Sequence, residues 1–372
     1  MLPYYPALRF KQGEYTAAGK LPADAQRFIE PRFVLPSLIE PDPALERTPT
    51  VDEIAYLTGD RVGKHWPIRR AFLDTHFIAR ELGDVGLLRL FRTVWGRNPR
   101  IVPVARLTDL INPLFRDLRC DGPVKLSVLV GYEEADEEAI AEALKTARLE
   151  ASDCVIFVDF TGAPLDPDIA TGSVSGVLDR VGEVGLWQRV VFQASNFPNK
   201  NPAAPGETEL IPRHEWDVFH AALKECGIAP DRLGYGDFGA DCGEMVFPRK
   251  KGGGAAIRHL RYTTASKTLV VRGAETGKDA DVMADVCKRI VDGGHFTGPA
   301  FSEADDRIYC LAKGIILGPG NASNWREWNM LHHMMQVVRD LGALAGMEFA
   351  LGRVTSEVGQ QPLFENAVLT VA

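Results

Sequence analysis

The feature that most constrains this chain is a unit that recurs in architecture without recurring in residues. An apolar run of about five to seven residues is followed by a loop and then by a segment with helical spacing of its apolar positions, about seven times over. Strand-like runs fall at residues 28–38, 101–105, 124–130, 155–160, 190–194, 233–238, 257–262 and 268–272. Helical patterns fall at 67–82, 133–150, 172–185, 212–226, 282–291, 305–312 and 325–341. In the helix at 133–150, acidic residues crowd the first turns, where they face the positive end of the helix dipole, and Gly227 sits where a C-cap belongs after 212–226. The Pro- and acid-rich stretch 40–52 reads as surface loop.

Strands alternating with helices over short links imply a parallel sheet covered by helices. A (β/α) TIM-barrel-like fold, irregular in places, competes with an open doubly wound sheet. The barrel is preferred: the length suits a barrel with insertions, and no glycine fingerprint of a dinucleotide fold follows the first strand. Residues 1–372 are read as one barrel-like α/β domain, with an N-terminal strand at 28–38 and a helical C-terminal portion at about 305–345.

Composition narrows the function classes. Hydrophobic residues are 45% and charged residues 25% of the 372, enough for a substantial core. The net charge of −8 argues against a general binder of nucleic acid or anionic membrane. Two basic stretches, Arg61/Lys64/Arg69/Arg70 and Arg89/Arg92/Arg97/Arg100/Arg106, read as solvated faces or structural pairs. The six cysteines are scattered with no CxxC pair, so neither a zinc knuckle nor a disulfide scaffold is indicated. The opening MLPYYPALRF carries prolines where a signal peptide needs an apolar helix, and no apolar run approaches the ~20 residues that span a bilayer. A cytoplasmic protein is expected.

In a parallel barrel, functional groups sit at the C-terminal ends of strands. Those ends carry Glu40, Asp159, Ser195 with Asn196, Asp237 with Asp241, Tyr262 and Arg272. Carboxylates converging from different strands suit a divalent metal or a general acid–base pair, and Arg272 suits a phosphate or carboxylate. The same aspartates also fit local turn roles. The KKGGG loop (Lys250 to Gly254) is not a P-loop and reads as a linker. GxSxG, HExxH and EF-hand patterns are absent. The stretch GNASNWREWNMLHHMMQVV, from Gly320 to Val338, is the most distinctive. Ser323 or Asn324 is its candidate N-cap, and Trp328, Leu331, Met335 and Val338 form its core stripe. His332 and His333 diverge by about 100° on a helix and cannot readily share one metal; one is expected buried, the other facing a cleft.

Four ordered segments, YYPALRFKQGEYTAAGKL (Tyr4 to Leu21), RYTTASKTLVVRG (Arg261 to Gly273), FTGPAFSEADDRI (Phe296 to Ile308) and GNASNWREWNMLHHM (Gly320 to Met334), resemble the beta protein family of satellite phages and bacterial mobile elements. One departure is Lys267, Thr268 and Leu269, where the family pattern often carries an aromatic. The matching positions are Lys11, Gln12, Glu14, Tyr15, Arg261, Tyr262, Arg272, Ser302, Asp305, Trp325, Arg326, His332 and His333. Lys11, Gln12 and Glu14 fit surface or barrel-bottom roles equally well and are left out of the expected site. The resemblance implies a component of phage-conflict loci, encoded beside defence or toxin–antitoxin genes, with a protein partner from the same locus. It carries over no catalytic residues.

The leading expectation is therefore a phage-defence barrel protein acting at a barrel-mouth cleft, with phosphodiester hydrolysis as its chemistry if it is an enzyme. Arg261, Arg272 and Arg326 would bind an anionic group, and Asn196, Tyr262 and Trp325 would contact substrate. Asp159 and Asp237, with Asp241 as a further candidate, would hold a divalent metal or polarise a nucleophile, and His332 or His333 would transfer a proton. The alternatives are a non-catalytic module that senses a phage component or neutralises a toxin, and a small-molecule metabolic barrel enzyme.

Overall fold

The computed structural model describes residues 2–38, 42, 45–245 and 257–347. Glu40, the Lys250–Gly254 loop and the ambiguous segment 349–372 lie outside the described residues.

Eight strands form one parallel sheet: β1 (Ala7–Arg9), β2 (Arg32–Val34), β3 (Ala71–Asp74), β4 (Ile101–Arg106), β5 (Leu126–Gly131), β6 (Cys154–Asp159), β7 (Arg189–Gln193) and β9 (Leu233–Gly236). Its ends meet. Tyr4 bridges Tyr235 in parallel, the Tyr5 amide donates to Tyr235 O at 2.8 Å and the Ala7 amide donates to Asp237 O at 2.7 Å. The result is a TIM-barrel-like fold, as the repeated strand–helix unit predicts.

Alternation along the strands separates two cores. Tyr5, Phe72, Val104, Leu129, Val155, Phe157 and Val191 point inward and fill the barrel. Tyr4, Leu8, Ile156, Val158 and Tyr235 point outward and pack beneath the helices. Those helices are α1 (Gln12–Lys20), α2 (Ala23–Gln26), α3 (Val51–His65), α4 (Ala79–Trp95), α5 (Leu114–Asp117), α6 (Glu137–Ala147), α7 (Pro167–Glu183) and α8 (His214–Glu225). Three more follow the barrel strands: α9 (Asp279–Asp292), α10 (Glu303–Ala312) and α11 (Ala322–Leu344). Helix α11 packs on α1. The approach is close enough that a Cβ on Gly13 would lie 2.6 Å from Ser323 O.

The structure corrects several expectations. The first strand is β1, upstream of 28–38, and within 28–38 only Arg32–Val34 is strand. The helix expected at 67–82 is instead β3 followed by the start of α4. Both faces of β3 are buried, so Ala71–Asp74 shows no alternation to betray it. Only Val51 and Asp52, at the end of the expected loop, belong to α3, whose N-terminus is a capping box: the Glu53 amide donates to Thr50 Oγ1 at 3.3 Å and the Thr50 amide donates to the Glu53 carboxylate at 2.8 Å. Helix α11 is capped by Asn321, whose side chain accepts from Ser323 and Asn324, rather than by either of those residues.

The strands expected at 257–262 and 268–272 exist as β10 (His259–Thr263) and β11 (Lys267–Arg272), but not in the barrel. They form an antiparallel hairpin, extended by β8 (Thr208–Pro212), in a separate three-stranded sheet. Only Thr264 to Ser266 link them, and the Lys267 amide donates back to Thr264 Oγ1 at 3.1 Å. A parallel pairing needs a crossover of about a dozen residues or more, so this link excludes it. Tyr262 and Arg272 are therefore not barrel-mouth strand ends.

Closure of the barrel relies on glycine at an inward position of β9. A Cβ on Gly234 would fall 2.5 Å from Cε2 of Tyr5, whose ring is fully buried inside the barrel. Gly234→Ala is expected to cost about 1–3 kcal/mol by overpacking, read as a lower denaturation midpoint.

Candidate functional site

The loop leaving β9 organises the C-terminal mouth. Asp241, only 7% exposed, collects three guanidinium groups. Arg9, at the inward end of β1, donates Nη1 to Oδ2. Arg261 Nη1 donates to Oδ1 at 2.7 Å, and Arg326 Nη1 donates to Oδ2 at 3.1 Å. Burial alone would raise the Asp241 carboxyl; Arg261, Arg9 and Arg326 outweigh it and hold it well below the usual carboxylate range. Arg326 also donates to Glu14 Oε1 at 2.9 Å. Glu14 is fully enclosed, and burial raises its carboxyl against the pull of Arg326 and Arg9. Arg261 lies over the Phe197 ring, 4.2 Å from its centroid.

Beside this cluster, between α1, α3 and the N-terminal end of α11, is a cavity of about 370 Å³. Its walls are mainly apolar, with Phe10, Tyr15, Leu35, Ile54, Leu57 and Ile78 among them. Lys11, Arg61 and Arg326 supply its positive groups. Arg61 is neutralised by Asp42 at 2.6 Å, whereas the Arg326 side chain is 37% exposed at the cavity edge. Segments from both ends of the chain meet here, so Lys11, Gln12 and Glu14 belong to the mouth and not to the barrel bottom.

A second polar network lies on the other face of the sheet. Asp237 follows β9 in an outward position, where its Oδ1 accepts from Tyr4 Oη at 2.6 Å and its Oδ2 is 2.9 Å from His333 Nε2. His333 Nδ1 is 2.8 Å from Thr263 Oγ1. The connectivity is that of a carboxylate–imidazole–hydroxyl relay. Thr263 is fully buried and His333 is 4% exposed, so no substrate reaches the hydroxyl. The network instead joins α11 and β10 to the barrel.

His332 is a second such pin. Its Nε2 donates to Thr263 O at 2.7 Å, and its Nδ1 lies 3.1 Å from both Asp305 oxygens. Tyr262 stacks on the ring at 3.7 Å and donates its hydroxyl to Asp305 Oδ1 at 2.7 Å. Both histidines are buried, so neither faces a cleft.

The other expected site residues also separate. Asp159 points inward at the end of β6, two positions on from Phe157 of the barrel interior, and its carboxylate accepts from the Thr161 amide at 2.9 Å. Asp159 and Asp237 thus lie on opposite faces of the sheet and do not form a carboxylate pair. Arg272 donates to Ala203 O at 3.0 Å in the outer sheet. Trp325 is a core residue whose indole donates to Pro319 O at 2.7 Å. The Asn196 side chain donates to Pro212 O at 3.2 Å. Of the expected residues, Asp241, Arg261 and Arg326 come together at the mouth. Among the described residues no group of three or more His, Cys, Asp or Glu could hold a metal. All six cysteines are free, and burial pushes the Cys120, Cys154 and Cys287 thiols up to about 12.

Arg9 and Glu215 did not emerge from sequence reasoning. Arg9 was hidden because β1 was. Glu215, in the first turn of α8, accepts from the Asn196 amide at 3.2 Å and sits 4.0 Å from Arg213 Nε.

These features define a parallel (β/α) barrel whose mouth is ringed by arginine. The sequence profile of the beta protein family matches residues 4–339, and the chain belongs to that family. Searches of curated proteins and of solved structures returned no match. No helix among the described residues is long and apolar enough to cross a membrane.

Glu215 gives a pH prediction. Burial pushes its carboxyl from 4.5 up to about 7. Between those values the folded state holds a proton that the unfolded state releases, so this contribution is full below 4.5 and is lost as pH rises through 7. Denaturant titrations of wild type should lose up to about 3 kcal/mol between pH 5 and 8 from this group, and Glu215→Gln should flatten that slope.

Proposed function

We propose that this protein is a ligand-binding barrel of phage defence whose mouth cavity takes a small amphiphilic anion. One observation carries the binding part. Three guanidinium groups face two carboxylates beside a largely apolar cavity, which leaves the cluster one formal positive charge in excess, and Arg326 is its member that lines the cavity. Apolar walls favour an apolar or aromatic body. A partly exposed guanidinium fork favours a carboxylate, sulfonate or phosphate head.

The defence setting comes from the family resemblance. In that setting the cavity serves as a sensor that loads a ligand and presents the altered mouth to a partner protein. Of the sequence-based alternatives this favours the binding module over the hydrolase, because Asp159 and Asp237 do not converge and both histidines are buried.

Fluorescence titration with anilinonaphthalene sulfonate, an anionic amphiphile, tests the site. Wild type should bind saturably. Arg326→Gln should weaken binding at least tenfold, the scale of one lost charge-assisted hydrogen bond, and Leu57→Trp should block it by filling the cavity. Equal binding by wild type and both variants would sink the assignment. In cells challenged with phage, Arg326→Gln should lose protection at unchanged protein abundance; full protection would separate the cavity from defence.

A further inference from the structure

We infer that the N-terminal floor of the barrel carries a second anion site, distinct from the mouth, which takes a compact phosphate-type oligo-anion. A cavity of about 430 Å³ opens there. Arg27, Arg69, Arg70 and Arg100 line it, with Glu30 and Asp121 as its carboxylates. Val102, Cys120 and Val124 in its wall belong to the apolar interior of the barrel, so the cavity lies directly beneath that interior.

The charges do not cancel. Arg70 is matched by Glu30 in a two-point pair, Nη2 to Oε1 at 2.7 Å and Nε to Oε2 at 2.9 Å. Among the lining residues, Arg27, Arg69 and Arg100 are then set against Asp121, an excess of two positive charges (three minus one). Among the described residues, Arg69 donates to a backbone oxygen, Ala23 O at 3.3 Å, and makes no ion pair. Arg27 rests over the Phe28 ring at 4.6 Å. Arg100 makes no ion pair among the described residues. The C-terminal ends of α3 and α4 also lie at this end of the barrel. Each contributes about half a negative charge, so together they offset only about half of the excess. A local positive excess on a chain of net charge −8 is the reverse of what overall composition supplies.

An unmet polar group stands behind the same wall. Tyr5 is fully buried inside the barrel, and among the described residues its hydroxyl makes no hydrogen bond of good geometry. Burial and then the Glu30 carboxylate, by its charge and by a weak hydrogen bond, raise this phenol.

Guanidinium forks match phosphate oxygens. A single-stranded nucleic acid needs an open basic track with stacking platforms, whereas this site is concave and walled by Ile29, Pro99 and Pro123. A compact ligand fits that shape.

The test is calorimetric titration with pyrophosphate at constant ionic strength, repeated on four variants of the full chain. Arg27 and Arg100 are exposed, so Arg27→Ser and Arg100→Ser should leave circular dichroism unchanged and weaken pyrophosphate at least tenfold. Asp121→Asn should tighten it several-fold by removing an opposing charge; this gain cannot come from misfolding. Arg326→Gln, at the mouth, should change nothing. The inference is overturned if wild type shows no saturable heat, if Asp121→Asn weakens binding, or if Arg326→Gln abolishes it, which would put the anion at the mouth. It is also overturned if an oligonucleotide binds the floor and pyrophosphate does not displace it.

Discussion

The junction between the first and last barrel strands is the constraint on which the rest of the molecule depends. Tyr5 and Ala7 donate to Tyr235 and Asp237, so segments from opposite ends of the barrel share a ladder. The exchange is modest in energy, since each backbone hydrogen bond contributes about 0.5–1.5 kcal/mol net. Its geometric consequences are larger. Gly234 and Gly236 keep the inner side of the junction open for Tyr5 and Gln193. The outer side then presents Asp237 to Tyr4 and to α11. The loop beyond brings Asp241 onto Arg9.

Helix α11 is the second consequence. Its face toward the barrel carries His332 and His333, each with both ring nitrogens engaged. These polar contacts fix the rotation and axial position of α11, because a buried imidazole accepts few alternative placements without losing a partner. With α11 so held, Arg326 reaches Asp241 and Glu14 at once. The mouth is thus a charge cluster of three cations and two anions built from five segments. Removing any one anion leaves buried cations uncompensated, which is why such clusters are sensitive to single changes.

Much of the fold was legible in the sequence. Runs such as Cys154–Asp159 and Leu126–Gly131 read as strands because parallel strands covered on both faces need continuous apolar residues. The helix at Glu137–Ala147 showed its period and its acidic start. Where reading failed, the cause is physical. Strand β1 is short and preceded by Pro3 and Pro6, so it lacked a run. Strand β3 offered four residues buried all round. The hairpin at β10 and β11 was read as two barrel strands because its residues are apolar enough, although its three-residue link already forbade a parallel pairing.

The sequence by itself determined the class of architecture and the positions of most elements, because hydrophobic periodicity is a local property written into neighbouring residues. It also supplied Arg261 and Arg326 as anion-binding candidates. Only the tertiary structure decided which polar residues work together. It placed Asp159 and Asp237 on opposite faces of one sheet, enclosed His332 and His333, and drew Arg9, Glu14 and Asp241 to Arg326. The reason is that a side chain's partner is fixed by strand face and by barrel closure. Both depend on contacts between residues hundreds of positions apart, and no local pattern encodes them.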